Sequence, residues 1–352
     1  MVRRRSNPAR AHPPVVYRWD LDKTYLKSEF DSLRGLVKIP FEKAEDKVAA
    51  PGVAALIRAL RDAAAANGRE VRTYFVSASP PQIGREIKKK LELDGVVYDG
   101  IVFKDQLRRL MRGKFRHLRE QVGFKLTELL KSRMKDAPAA HEYLFGDDWE
   151  SDPLIYSLYA DAVAGRVGGD ELAEVLQAIR VDPPLIREAC QLAEQIEHVD
   201  AVARIFITLE RRTPLAKFRC FGPRLVPTFN YFQTAACLHE HGVLDRAGVA
   251  EVARSLVAHS AYTKERLMNS LADLQRRGQL KETSASALRD YLRDERFLAR
   301  EGRQPLESWW AQIKGLTTGW RPRAPVQQTV APTVIDYRAL VARHGAAESR
   351  AG

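Results

Sequence analysis

The chain has 352 residues, of which 45% are hydrophobic and 29% charged, with 21 glycines and 18 prolines. That composition excludes a collagen-like, disulfide-scaffold or wholly disordered chain, and the length allows one large domain or two ordinary ones with a full apolar core. A formal net charge of +12 at pH 7 attracts phosphates of any kind, whereas no RNP motif, zinc finger or heptad-linked basic region points to specific nucleic-acid binding.

No apolar run approaches the 18 residues of a membrane span. Three scattered cysteines, Cys190, Cys220 and Cys237, form no disulfide framework and no C-x-x-C pair, which points to a reducing cytoplasm. Arg3, Arg4 and Arg5 are followed by polar, Pro-containing sequence, so no secretory signal is expected.

Residues 1–14 read as a disordered basic arm. Val15 to Trp19 is a short β-branched and aromatic run, the pattern of a buried strand, and it stops at Asp20. Residues 51–67 start at Pro51, carry Ala and Leu at helical spacing and end before Gly68, which predicts a helix. A second strand is expected over 71–76, then Ser77-Ala78-Ser79-Pro80-Pro81 and a helix to about Leu91. Further elements are a strand over 96–103, a helix over 121–135, a strand over 142–145 ending in Gly146-Asp147-Asp148, and a helix over 153–164. Residues 166–200 read as helical and acidic-polar with a break at Asp182-Pro183-Pro184, and 202–209 as one more buried strand. From about 226 to 315 the pattern is predominantly helical. A tail follows from Gly319, with one short helix around 335–344.

Strands alternating with helices predict an α/β fold, a parallel sheet with helices on both faces. Ligands of such sheets bind at the carboxyl ends of the strands, where this chain places Asp20, Ser77 and Asp147-Asp148. Asp20-Leu21-Asp22-Lys23-Thr24 offers two carboxylates two residues apart as a strand opens into a loop. One can attack phosphorus while the other gives and takes a proton. Asp147, Asp148 and Asp152 make an acidic cluster suited to Mg²⁺, a hard ion that takes carboxylate oxygens; the plainer alternative is that Asp148 or Asp152 caps the following helix. Ser77 and Ser79 precede a helix and can cradle phosphate or simply cap. Lys125, at the start of the 121–135 helix, is placed to reach the same rim, with Lys104 and Lys114 as rivals.

In combination, D-x-D-x-T, strand-then-Ser, helix-borne Lys and G-D-D-x-x-x-D resemble the haloacid dehalogenase (HAD) superfamily of aspartate-nucleophile phosphatases. The nearer likeness is to the lipin-type and fungal actin-patch-type phosphatidate phosphatases and their bacterial relatives. DLDKTYLKSEF (20–30), YFVSASP (74–80) and FGDDWESDPLIYSLYAD (145–161) are similar to their first, serine and metal motifs, and the likeness spans about 15–165.

The resemblance implies a HAD-like Rossmannoid three-layer fold over 15–225, from which residues 166–200 depart as a helical insertion; outside the likeness lie a helical C-terminal region over 226–318 and a mostly irregular tail over 319–352. It implies Asp20 as nucleophile, Asp22 as general acid and base, and Ser77, Lys125 and Thr24 on the phosphate. Mg²⁺ would be held by Asp20, the Asp22 carbonyl and Asp147, with Asp148 or Asp152. The implied substrate is phosphatidate or a related lipid phosphate. A soluble phosphomonoester, or a catalytically silent scaffold, stays open.

His239 and His241 flank Glu240 but lie on different helical faces and have no third metal ligand, so they read as surface or helix-end residues. Trp309-Trp310 and the arginines Arg3 to Arg5 with Arg10 offer a peripheral contact with an anionic membrane; core packing and a solvated arm are the plainer readings. The run Arg108, Arg109, Arg112, Lys114, Arg116 could focus an anionic substrate or be a solvated face.

Overall fold

The structure, a computed structural model, describes residues 12–26, 48–77, 81–104, 114–149, 151–259, 262–295, 297 and 334–348. Arg3 to Arg5, Arg10, Ser79, Arg108, Arg109, Arg112 and Trp309-Trp310 lie outside the described residues, and Lys114 and Arg116 are described only as backbone.

Six parallel strands form one sheet: β1 (Val15–Asp20), β2 (Val71–Ser77), β3 (Gly100–Phe103), β4 (His141–Asp147), β5 (Val202–Thr208) and β6 (Leu225–Thr228). Their order is β3-β2-β1-β4-β5-β6. Every residue of β1 is buried, as befits a central strand covered on both faces.

Helices α1 (Val53–Ala66) and α2 (Gly84–Leu93) connect β1 to β2 and β2 to β3. Their apolar residues pack on one face of the sheet with Tyr17, Trp19 and Phe75. The chain then crosses over through α3 (Lys114–Arg133) to β4, and α3 packs on the opposite face through Val122, Leu126, Leu129 and Leu130. Reversal of direction between β1 and β4 creates the switch point at which doubly wound sheets bind ligands.

Helices α4 (Asp152–Val163), α5 (Gly169–Ala178) and α6 (Pro183–Gln195) follow β4 on the α3 side. Residues 166–200 carry the helical pair α5 and α6, of which α6 packs on α3. A Cβ on Gly123 of α3 would lie 2.6 Å from Val181 Cγ1 and 3.1 Å from Leu185 Cδ1, so only glycine lets the pair approach this closely.

Helices α7 (Tyr231–Glu240), α8 (Arg246–Ala258), α9 (Lys264–Arg276) and α10 (Glu282–Asp294) continue the first core. α8 packs on α1. Between them Gly52, at φ 85°, starts α1 in the left-handed region, and its missing side chain leaves room for Leu256. A last helix, α11 (Tyr337–Glu348), is anchored by the Tyr337 hydroxyl donating to Asp161 at 2.6 Å.

Three boundaries differ from the sequence expectation. β3 is Gly100–Phe103, not 96–103: the Val96 amide still closes the end of α2 on Leu91 O, and the Asp99 carboxylate takes the Thr73 amide ahead of the ladder. α3 begins at 114, so Lys125 sits in mid-helix. β6 falls where only helix was expected, and the domain boundary drawn at 225 runs through it. His239 and His241 are turned to Leu244 O and Arg204 respectively, as helix-end residues.

Candidate active site

Asp20, Ser77 and Asp147 are the last residues of β1, β2 and β4, so parallel pairing alone brings them to one end of the sheet. The segment after β1 is a tight loop. The Leu21 amide donates to Val76 O, Tyr25 and Leu26 amides return to Leu21 O, and Lys23 adopts φ 60°. That turn carries Asp22 back over the sheet end, where its Oδ2 accepts from Ser77 Oγ at 2.7 Å. The loop is held from outside by Tyr231 of α7, whose hydroxyl donates to Thr24 O at 2.6 Å.

Lys125 reaches the same point from α3. Its Nζ donates to Asp20 Oδ1 and to Asp152 Oδ1, both at 2.7 Å, and all three side chains are at most 1% exposed. Asp152 opens α4, and its other oxygen accepts the Asp147 amide at 3.3 Å. Its approach depends on Gly146, because a Cβ there would stand 2.4 Å from Asp152 Oδ2 and 2.8 Å from the Tyr156 ring. Tyr156 is fully buried beneath this group. Burial first, and then the Asp152 charge, hold its hydroxyl protonated well above the usual range.

Asp147 accepts from the Trp149 amide at 2.6 Å and from the Thr24 hydroxyl at 3.2 Å. Asp20, Asp147 and Asp152 are all buried and offer oxygens lying within 4.8 Å of one another. Three ionised carboxylates against one ammonium leave an excess of two negative charges, an arrangement that a divalent cation offsets.

The structure thus brings together Asp20, Asp22, Ser77, Lys125, Asp147 and Asp152. It separates Asp148, which was expected among the metal ligands. That carboxylate accepts the Arg211 amide at 2.8 Å and the Thr213 amide at 3.0 Å, fixing the loop after β5. Asp148 lies just past the end of β4 and is turned to that loop, away from the Asp20, Asp147 and Asp152 group. Thr24, expected on the phosphate, has its hydroxyl on Asp147 instead.

Two features of the site were missed from sequence. Trp149 lies between two cations, with Lys23 Nζ 3.4 Å and Arg211 Cζ 4.6 Å from its ring centroid, which links the loops after β1, β4 and β5. Beneath the site, Arg18 is fully buried and donates to Glu142 at 2.5 Å, Asp136 at 2.6 Å and Ser132 at 2.6 Å, while Arg133 lies 3.0 Å from the other Glu142 oxygen. A charged residue inside the buried run VVYRWD was the available signal for that network.

Among the described residues no helix is long and apolar enough to cross a membrane. Comparison with curated proteins gives no match, and comparison with solved structures gives none either. Residues 19–169 match the family model of the catalytic domain of phosphatidate phosphatase APP1, a HAD-like family, and this segment contains every side chain gathered at the switch point.

Proposed function

We propose that the chain is a Mg²⁺-dependent phosphomonoester hydrolase that works through an aspartyl-phosphate on Asp20. The observation that carries this reading is the Asp20 carboxylate, buried at a strand end, held by Lys125 and flanked by Asp147 and Asp152. The fit to a metal rests on the donor set, since carboxylate oxygens suit a hard divalent ion. Bound there, Mg²⁺ would offset carboxylate charge and polarise a phosphoryl oxygen.

The chain's own residues divide the remaining work. An Asp20 oxygen attacks phosphorus in line, the bond to the leaving oxygen breaks, and Asp22 gives that oxygen its proton. Water then attacks the aspartyl-phosphate, Asp22 takes the water's proton, and the bond from phosphorus to Asp20 breaks to release phosphate. Ser77 fixes the Asp22 carboxylate before substrate arrives and can turn its hydroxyl to a phosphoryl oxygen afterwards. Lys125, oriented by Asp152, supplies positive charge where negative charge spreads in the transition state. Thr24 positions Asp147.

Phosphatidate or a related lipid phosphate is the substrate class supported by the family match. Contact with the lipid surface would be peripheral, with the chain otherwise in the cytoplasm. The test is phosphate release from phosphatidate in mixed micelles and from a panel of soluble monoesters, with Mg²⁺ and with EDTA. Release from the lipid that needs Mg²⁺ and falls at least about three orders of magnitude in Asp20→Asn is the expected result. Preference for a soluble ester would replace the lipid substrate, and a folded protein inert on the whole panel would leave a scaffold role.

A further inference from the structure

At the amino ends of the central strands, opposite the catalytic carboxylates, lies a cavity of about 180 Å³. Its polar lining is His12, Tyr17, Asn67 and Arg69, closed on one side by Gly242 and Val243 after α7. That volume holds several waters and therefore also an ion of phosphate or small-carboxylate size.

The lining is rich in donors. Arg69 spends only its Nε, on Pro13 O at 3.1 Å, and among the described residues it has no carboxylate partner. The adjacent Glu70 is turned to Arg72 at 2.8 Å. Tyr17 is 2% exposed, its ring tilted against Tyr143 and Phe145 with centroids 5.9 and 6.3 Å away, and its hydroxyl has no hydrogen-bond partner among the described residues. Water or an acceptor bound in the cavity can take that hydroxyl's hydrogen bond.

The surrounding field is also positive. Arg69 acts on Tyr17, Tyr143 and His141, and Arg204 adds to it at Tyr143. At Tyr17 burial, followed by the neighbouring Tyr143, outweighs Arg69 and raises the phenol, so the group remains a donor. Burial, followed by Arg69, lowers His141, whose ring therefore resists adding a further positive charge.

We propose that this cavity is a binding site for a small oxyanion, a phosphate or a carboxylate, gripped by the Arg69 guanidinium and the Tyr17 hydroxyl. The site is separate from the catalytic carboxylates. Tyr17 and Asp20 are three residues apart on β1, about 10 Å along an extended strand, and the two sites open at opposite ends of the sheet.

The test is calorimetric titration of the full chain with sulfate, inorganic phosphate and malonate in separate runs, for the parent protein and for Arg69→Gln, Tyr17→Phe and Lys125→Met. At least one anion should bind saturably at one equivalent. Removing a donor to a charged acceptor should weaken it about 10- to 100-fold in Arg69→Gln and about tenfold in Tyr17→Phe. Lys125→Met should retain this binding, and Arg69→Gln should retain phosphatase turnover. Sulfate and phosphate binding without malonate assigns a phosphate-type ligand; malonate binding assigns a carboxylate. An isotherm unchanged in Arg69→Gln, one lost in Lys125→Met, or no saturable binding by any of the three anions overturns the proposal. Tyr17→Phe keeps the packed ring, so its result stands even if an Arg69 variant folds poorly.

Discussion

Lys125→Met separates the role of charge at the catalytic centre from that of side-chain volume. Methionine retains an apolar stem of similar length and removes only the ammonium, leaving Asp20 and Asp152, each 2.7 Å from Nζ in the native protein, without it. Breaking a buried ion pair on one side costs about 3–5 kcal/mol. With an unfolding entropy of ~2.1 cal/mol/K per residue over 352 residues, that cost lowers Tm by ~4–7 °C, to be read by scanning calorimetry. Adding Mg²⁺ should raise the Tm of the variant more than that of the parent, because the carboxylates have lost their internal cation. Turnover should fall about 10²- to 10³-fold, the cost of losing one donor aimed at developing charge. A variant within about 1 °C of the parent, with no added response to Mg²⁺ and unimpaired turnover, would refute the assignment of Lys125 as the site's internal cation.

Three other perturbations probe the surroundings. Gly146→Ala places a methyl 2.4 Å from Asp152 Oδ2, so kcat should fall about 10²-fold for a loss of roughly 1–3 kcal/mol in stability; unchanged turnover would mean that the Asp152 position is not critical. Trp149→Leu removes both cation–π contacts to Lys23 and Arg211, each worth about 0.5–1 kcal/mol at an exposed site. Turnover should drop roughly tenfold with little change in Tm, and an equal loss of both would make Trp149 a packing residue only. Burial pushes the Cys237 thiol up to about 12, leaving a thiolate fraction of about 10⁻⁴ at pH 8. Iodoacetamide at that pH should label native protein elsewhere and reach Cys237 only after denaturation, as mass spectrometry of the peptides can decide.

Much of the catalytic end was legible in the sequence because its signals are local. A buried run that ends in a polar residue places that residue at a strand terminus, and three such runs, two ending in a carboxylate and one in a serine, meet at one end of a parallel sheet. Asp20, Ser77 and Asp147 could be placed together on that argument before any coordinates. Asp148, expected in the same cluster, is turned instead to the Arg211 and Thr213 amides, partners more than 60 residues away that no local pattern reveals. β6 escaped notice because LVPT has four residues and carries Pro227, which is tolerated only at a sheet edge. The Arg18 network is a different case: Glu142, Asp136 and Ser132 lie 114 to 124 residues away in sequence, so nothing near Arg18 identifies its partners. The cavity beside Tyr17 is likewise assembled from three separate segments, 12–17, 64–69 and 242–243.

The most direct test of the proposed mechanism is to trap the covalent intermediate. Protein mixed with radiolabelled phosphatidate in micelles and Mg²⁺, quenched in acid within the first turnover and digested, should carry label on the peptide containing Asp20, with none in Asp20→Asn. Label on another residue, or steady release of phosphate from substrate with no labelled peptide at any quench time, would contradict nucleophilic attack by Asp20.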